Sequence, residues 1–218
     1  MSIILASSSP RRRELMKLIT DDFTAVSVNI DETIPENTDI LKASECLAKI
    51  KAKSAVEKFP KNVIIGCDTT VICDNRILGK PKDKDECREF MKILSDRTHQ
   101  VATGCCIMNK NIITSFTVIT DVTFRQLSDD EIETYISTDE PYDKAGGYGI
   151  QGKGALLIEK INGDYFNVVG LPVSKLNHEL NAFYQDILKF SIKGEITMNK
   201  TAFHNADILI PNESIDMN

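Results

Sequence analysis

The sequence predicts an α/β fold, and three observations carry that prediction. A short apolar run, Ile3-Ile4-Leu5-Ala6, leads directly into a helix start signal. A second run, Val63-Ile64-Ile65-Gly66-Cys67-Asp68, is apolar without alternation, as befits a central strand covered on both faces. Between such runs lie segments with apolar residues three and four apart, the spacing of amphipathic helices.

After Ala6 the chain reads Ser7-Ser8-Ser9-Pro10-Arg11-Arg12-Arg13. Ser9 suits an N-cap and Pro10 the first helical position, where its missing N–H costs nothing. Leu15, Leu18 and Ile19 supply the apolar face of this helix. Free N–H groups, hydroxyls and three guanidiniums converge on its start, a setting for an anion such as phosphate. Each exposed cation there opposes the helix dipole by about 0.3–1 kcal/mol, which favours a negative partner over a merely solvated first turn. Arginine also grips two phosphate oxygens at once, which lysine cannot.

The run from Phe23 to Val28 alternates as a half-buried strand, and residues 31–36 form a loop. Asp39 caps a helix to about Phe59, with Ile40, Ala43, Leu47 and Ile50 on one side and Lys49, Lys51 and Lys53 along it. The Val63 strand ends at Asp68, and Thr70–Cys73 pairs with Ile77–Leu78 about Asp74-Asn75-Arg76. A basic loop, Gly79-Lys80-Pro81-Lys82, precedes a helix marked by Cys87, Phe90, Met91 and Leu94. Gln100–Met108 and Ile112–Phe124 read as an antiparallel hairpin, and Ser128 with Glu131 as a capping box. Residues 143–154 hold five glycines in twelve positions, so backbone there takes positive φ or presses close to something. Leu156–Ile161 and Tyr165–Val169 read as a second hairpin about Asn162-Gly163-Asp164. The last helix starts near Pro172, with Val173, Leu176, Leu180, Phe183 and Ile187 inward. The pattern then weakens, giving one domain over 1–187 and an extension of unassigned role over 188–218, where Ile208-Leu209-Ile210-Pro211 reads as a short strand or anchor.

A net charge of −6 over 218 residues argues against general nucleic-acid binding, yet leaves clustered cations for a small anion. No apolar run reaches the roughly 18 residues of a membrane span, and the N-terminus has no signal-peptide pattern. The six cysteines form no C-x-x-C pair, which points to a reduced, cytoplasmic protein. His99, His178 and His204 lie too far apart in sequence to suggest zinc, so a metal here would be a hard cation on carboxylates and ligand phosphates.

Asp68 stands at the end of a buried strand, where open α/β sheets bind ligands. It could take a proton from water or hold a cation, or it could simply cap a turn, and position alone leaves these even. Asp31 and Glu32 could add metal ligands or form a solvated loop. Lys51, Lys53, Lys80 and Lys82 could neutralise phosphates or face solvent. The glycine-rich stretch matches neither a Walker loop nor a dinucleotide fingerprint. Within it, Gln151 could read a base edge once a nucleotide is in place.

The order of these pieces resembles the Maf family of nucleoside triphosphate pyrophosphatases. The resemblance rests on Leu5-Ala6-Ser7 through Pro10-Arg11-Arg12, Asp31-Glu32, Lys51-Ala52, Gly66-Cys67-Asp68-Thr69, Gly79-Lys80-Pro81, His99-Gln100-Val101, Asp143-Lys144-Ala145-Gly146 to Gly152, and Gly170-Leu171-Pro172. It implies a fold shared with inosine triphosphatases, a mixed twisted sheet with flanking helices in two lobes around a nucleotide cleft. It implies hydrolysis between the α- and β-phosphates with magnesium, manganese or cobalt, by a homodimer. On the same resemblance Asp68 is the general base, and Arg12, Thr69 and Gln151 hold specificity positions. Ser7, Glu32, Lys51 and Lys80 match residues around the phosphates and the metal, which Glu32 and Asp68 would ligate. Arg11 joins the substrate-binding set as part of the arginine cluster. Threonine after the aspartate resembles the branch acting on dTTP and UTP rather than 7-methyl-GTP. Three positions depart from the family pattern: Cys67 and Gly147 replace Ala, the latter expected to loosen its loop, and Asp96 replaces Gly. Two rival readings are a nucleotide-responsive regulator of cell division and an RNA-binding module. Retained Asp68 and Glu32 count against the first, and the acidic composition against the second.

Overall fold

The computed structural model describes residues 2–30 and 33–192. Glu32, Asp31 and most of the C-terminal extension, including Ile208-Leu209-Ile210-Pro211, lie outside the described residues.

Strands β1 (Ile3–Ala6), β2 (Phe23–Val26), β3 (Val63–Cys73), β4 (Arg76–Leu78), β5 (Thr98–Met108), β6 (Ile113–Phe124) and β7 (Ile158–Asn162) form one mixed sheet. Its order is β2-β1-β3-β5-β6-β7, with β4 folded back on β3. Only the pairings of β1 with β2 and β3 are parallel; the others described are antiparallel. Around the sheet lie α1 (Pro10–Met16), α2 (Ala43–Lys58), α3 (Lys84–Leu94), α4 (Asp129–Ile136), α5 (Tyr165–Val169) and α6 (Val173–Ile192). None of the described helices is long and apolar enough to cross a membrane.

Alternation along the strands splits the core. Ile3, Leu5, Val63 and Ile65 turn one way and pack with Met16, Leu176, Leu180 and Phe183 of α1 and α6. Ile4, Ala6, Ile64 and Cys106 turn the other way onto Ala48, Ala52 and Ala55 of α2. Farther along the same long strands, Val71, Val101 and Phe124 join Phe90, Met91 and Leu94 of α3 and Ile132 and Ile136 of α4 in a separate cluster. Burying each such Leu, Ile or Phe contributes about 1.5–3 kcal/mol. The two lobes are therefore strung on shared strands, one holding the first two clusters on opposite faces of the sheet and the other holding the third. Of the eleven residues of β3, Asp68 and Thr69 alone are half-buried, and they mark the seam.

Helix α2 lies unusually close to the sheet at this seam. A Cβ at Gly66 would stand 2.3 Å from the Ala48 carbonyl oxygen, and one at Gly104 would stand 2.2 Å from the Glu45 nitrogen. Glycine under the helix and alanine on it let the backbones meet. The inner face is thus Ala43, Leu47, Ala48, Ala52 and Ala55, whereas Ile50, expected inward, is half-buried. Asp39 caps one 3-10 turn, Ile40–Lys42, through the Leu41 N–H, and α2 begins after it.

Other sequence expectations need correction. Helix α1 stops at Met16, which is buried, and leaves Leu18 64% exposed. Strand β2 ends at Val26. Strand β3 does not end at Asp68, because pairing with β5 carries on past it, Asp68 opposite Gly104 and Thr69 opposite Thr103. Tyr165–Val169 is a helix rather than a strand. Asp164 caps it by accepting from the Phe166 N–H at 2.8 Å, and the Thr120 hydroxyl binds both the N–H and the C=O of Asp164. A short apolar run fits strand or helix equally, and this cap decides. Leu156 lies in a 3-10 turn before β7 and is exposed. Helix α6 runs through residue 187 to Ile192.

Two of the positions at which the chain departs from the pattern it resembles have left-handed backbone. Asp96 takes φ +58 and Gly147 takes φ +70, both left-handed conformations that glycine adopts without strain. Asp96 therefore bears a strain that glycine would not, while Gly147 is suited to its place.

The close fit of α2 is testable. Gly66→Ala should lower stability by about 3 kcal/mol, since the added carbon meets backbone that cannot swing away. Gly79→Ala, where a Cβ would meet nothing within 4 Å, should change it by less than about 0.5 kcal/mol. Urea midpoints of the two variants check this, and equal midpoints would refute it.

Candidate active site

A cleft of about 940 Å³ opens over the seam. Its lining includes Ser7 to Ser9 after β1, Asp68 and Thr69 of β3, Lys51 of α2 and Lys80 beyond β4, with residues 149–152 of the glycine-rich loop opposite.

Arg12 ties the walls together. Its Nε donates to the Gly170 carbonyl at 2.8 Å, Nη1 to the Ser7 hydroxyl at 3.3 Å and Nη2 to the Thr69 hydroxyl at 2.9 Å. The Gly170 carbonyl is presented by a left-handed turn at φ +122, where the Gly170 N–H closes α5 onto Phe166 and Asn167. Behind Thr69, the Thr103 hydroxyl lies 3.0 Å away and donates to the Asn167 carbonyl at 2.9 Å. Arg12 thus joins α1, the β1 loop, β3 and the α5 end.

The other arginines behave differently. Arg11 lines the cleft and pairs with Asp143 at 3.1 Å, while Arg13 is exposed and does not line it. The expected convergence of three guanidiniums is therefore one of two. Helix α1 has only seven residues, so side chains rather than the helix end supply the positive charge.

On the opposite side of Thr69, Lys51 Nζ lies 2.5 Å from Asp68 Oδ1, with the two side chains 12% and 14% exposed. The close packing of α2 sets this pair. Lys80 and Gln151 line the cleft from exposed positions, whereas Lys53 and Lys82 are exposed and do not line it.

Glu140 shapes the loop that carries Gln151. Its carboxylate accepts from the Lys153 and Gly154 N–H groups at 2.7 and 2.9 Å and from the Tyr135 hydroxyl at 3.1 Å. Burial works to raise its pKa, but these bonds and the Lys144 charge outweigh it and hold the carboxyl below its ordinary value. Asp143 behaves likewise, burial being overcome by Lys144 and Arg11. Gly152 leaves room for Glu140, since a Cβ there would stand 2.3 Å from its Oε2.

His99 does not line the cleft. It is 2% exposed, its Nε2 lies 2.7 Å from the Tyr148 hydroxyl, and it packs edge-on to Phe124 and Tyr148. Burial pushes its pKa down to about 4, so it is neutral at physiological pH.

The structure brings Ser7, Arg11, Arg12, Lys51, Asp68, Thr69, Lys80 and Gln151 to one cleft. Glu32 lies outside the described residues, and among those described no three His, Cys, Asp or Glu side chains cluster to hold a metal. Sequence reasoning missed Glu140, Thr103 and Asn167 as parts of the site, and read Asp143, Lys144 and Gly170 only as motif. Taking Tyr165–Val169 for a strand hid Asn167. Nothing in the local sequence marks Glu140 as the partner of N–H groups thirteen and fourteen residues on.

The buried histidine sets a pH dependence. The unfolded chain takes up a proton near pH 6.5 that the folded protein refuses until about pH 4, so stability falls as pH drops through that window. Between pH 7.5 and 5 the His99 contribution should be about 2 kcal/mol. His99→Gln should flatten the curve by that amount in urea titrations; parallel curves would contradict it.

Comparison with known proteins accords with this arrangement. The family profile described as Maf-like protein matches residues 2–183. A Pyrococcus furiosus protein named dTTP/UTP pyrophosphatase is 49% identical over 188 residues, covering 84% of this chain and 98% of its own. Proteins of the same name from Bacillus cytotoxicus and Bacillus cereus are 46% and 44% identical over 180 and 185 residues. These cover 83% and 85% of this chain and 94% and 97% of their own. Among solved structures, the Staphylococcus aureus Ham1 protein is a remote likeness, 16% identical with a TM-score of 0.42 over 57% of this chain and 72% of its own. With the family match running from β1 into α6 and such similarity along nearly the whole of these relatives, the chain belongs to the Maf family.

Proposed function

We propose that this chain hydrolyses dTTP, UTP and related pyrimidine nucleoside triphosphates to the monophosphate and pyrophosphate, clearing them from the nucleotide pool. The observation that carries the reading is the presence in one cleft of the Lys51–Asp68 pair and the Arg12–Thr69 pair. The names of the relatives support the substrate class.

A triphosphate carries about four negative charges, so repulsion of an incoming nucleophile is the obstacle. Arg11 and Lys80 line the cleft and offset that charge. Near a protein surface each opposite-charge pair at 4 Å is worth about 4 kcal/mol. Asp68 would by itself repel the substrate. Lys51 cancels that charge and orients the carboxylate, which accepts the proton of the water attacking the α-phosphorus. Arg12, already bound on three sides, is held rigid and keeps two N–H groups for the substrate.

The Asp68 carboxylate offers oxygen donors of the kind a hard cation takes, on a side chain that also meets the Lys51 ammonium. Asp68 would hold magnesium, manganese or cobalt together with the substrate's phosphate oxygens, with Glu32 as the further carboxylate. When bound, such a cation polarises the phosphoryl group under attack. We further propose a cytoplasmic homodimer: the dimer follows the family resemblance, and the six free cysteines support a reducing compartment.

Asp68→Asn should lower pyrophosphate release from UTP by about 100-fold to 10,000-fold while nucleotide affinity changes little. A panel of triphosphates with the unaltered protein should give most product from dTTP and UTP. Binding without any pyrophosphate release would favour the regulator reading, and full turnover by the Asn variant would remove Asp68 from the role of base.

A further inference from the structure

From the cleft wall inward runs a chain of two threonine hydroxyls whose protons can be assigned by counting. Thr103 is fully buried and its hydroxyl has one proton. The Asn167 carbonyl, 2.9 Å away, can only accept, so it takes that proton. The Thr69 hydroxyl, 3.0 Å from Thr103, must then donate to it. Arg12 Nη2 in turn donates to Thr69 at 2.9 Å, which only a lone pair can receive. Asn167 cannot drift, because its amide nitrogen is bound to the Val101 carbonyl and the Thr120 hydroxyl, each at 2.9 Å.

We infer that Thr103, seated by Asn167, is a positioning residue for base selection: it takes the Thr69 proton and leaves Thr69 facing the cleft as an acceptor only. The inference rests on the reading that the cleft takes a pyrimidine triphosphate. Uracil and thymine present an N–H between two carbonyl oxygens. Thr69 as a fixed acceptor beside the Arg12 donors is complementary to that edge, N–H to hydroxyl and carbonyl to guanidinium. Cytosine carries a lone pair where uracil carries the N–H. Against Thr69 it sets lone pair on lone pair, and a site that leaves polar groups unpaired in this way discriminates strongly. Were the Thr69 proton free to turn into the cleft, the same hydroxyl would serve either base.

The test compares binding of non-hydrolysable α,β-methylene analogues of UTP and CTP to the full chain by calorimetry. The unaltered protein should prefer the UTP analogue by about tenfold or more. Thr103→Val, which keeps the shape and removes the acceptor, should cut that preference to about threefold or less, and Thr103→Ser should restore it. General loss of stability would weaken both analogues alike and leave the ratio unmoved. Retention of the preference by the Val variant, its loss in the Ser variant, or no preference in the unaltered protein would each overturn the inference. Neutron diffraction on the unaltered protein decides independently of how the variants fold: the Thr69 deuteron should lie toward Thr103, and one pointing into the cleft would overturn it. If the analogues bind with the expected preference but UTP yields no pyrophosphate, the hydrolase reading fails and this one stands.

Discussion

Much of this structure depends on how closely α2 lies against the sheet. Gly66 and Gly104 beneath it, and Ala48, Ala52 and Ala55 upon it, bring helix backbone onto strand backbone with no side chain between. Only at that distance does Lys51 reach Asp68 in the middle of a strand. A larger residue at either glycine would lift the helix and part the pair. The same approach sets Glu45 over β6, where it accepts from Ser115 and Thr117 at 2.6 and 3.0 Å and ties the helix start to the sheet. Burial opposes the charge of that carboxylate, and Lys49 with the two hydroxyls holds its pKa below the ordinary value.

The second constraint is that β3 and β5 pass through both lobes without a break. Strands shared by two lobes fix the lobes' spacing, so the cleft between them is part of the sheet rather than a gap that linkers must define. Asp68 and Thr69 stand where one core has ended and the next has not begun, and that is why they are accessible in a strand otherwise buried. Arg12 then closes the arrangement from the other side. Its three bonds reach the Ser7 loop, Thr69 and the end of α5, so the groups meant for one ligand are already fixed with respect to each other. A site organised before its ligand arrives loses little freedom on binding.

The parts legible in the sequence were those written locally. Ser9-Pro10, the Ser128–Glu131 capping box and the Cys87, Phe90, Met91 and Leu94 spacing each found their place, since cap and period act within a turn or two. Asp74-Asn75 also formed its hairpin turn, both residues at positive φ. What failed was settled by distant partners. Asp68 reads as the end of a strand until β5 continues beside it, and Tyr165–Val169 reads as a strand until Thr120, on β6, fastens its cap. The Arg12–Thr69–Thr103–Asn167 chain spans residues 12 to 167 and has no spacing that a sequence could display.

The central claim is that Asp68 delivers water to the α-phosphorus of a nucleotide whose other end Arg12 and Thr69 hold in the same cleft. Hydrolysis of UTP in water enriched in heavy oxygen, with mass analysis of the products, tests it most directly. The account predicts the heavy oxygen in the uridine monophosphate and none in the pyrophosphate. Label in the pyrophosphate would mean attack at the β-phosphorus and would contradict the placement of the substrate against Asp68.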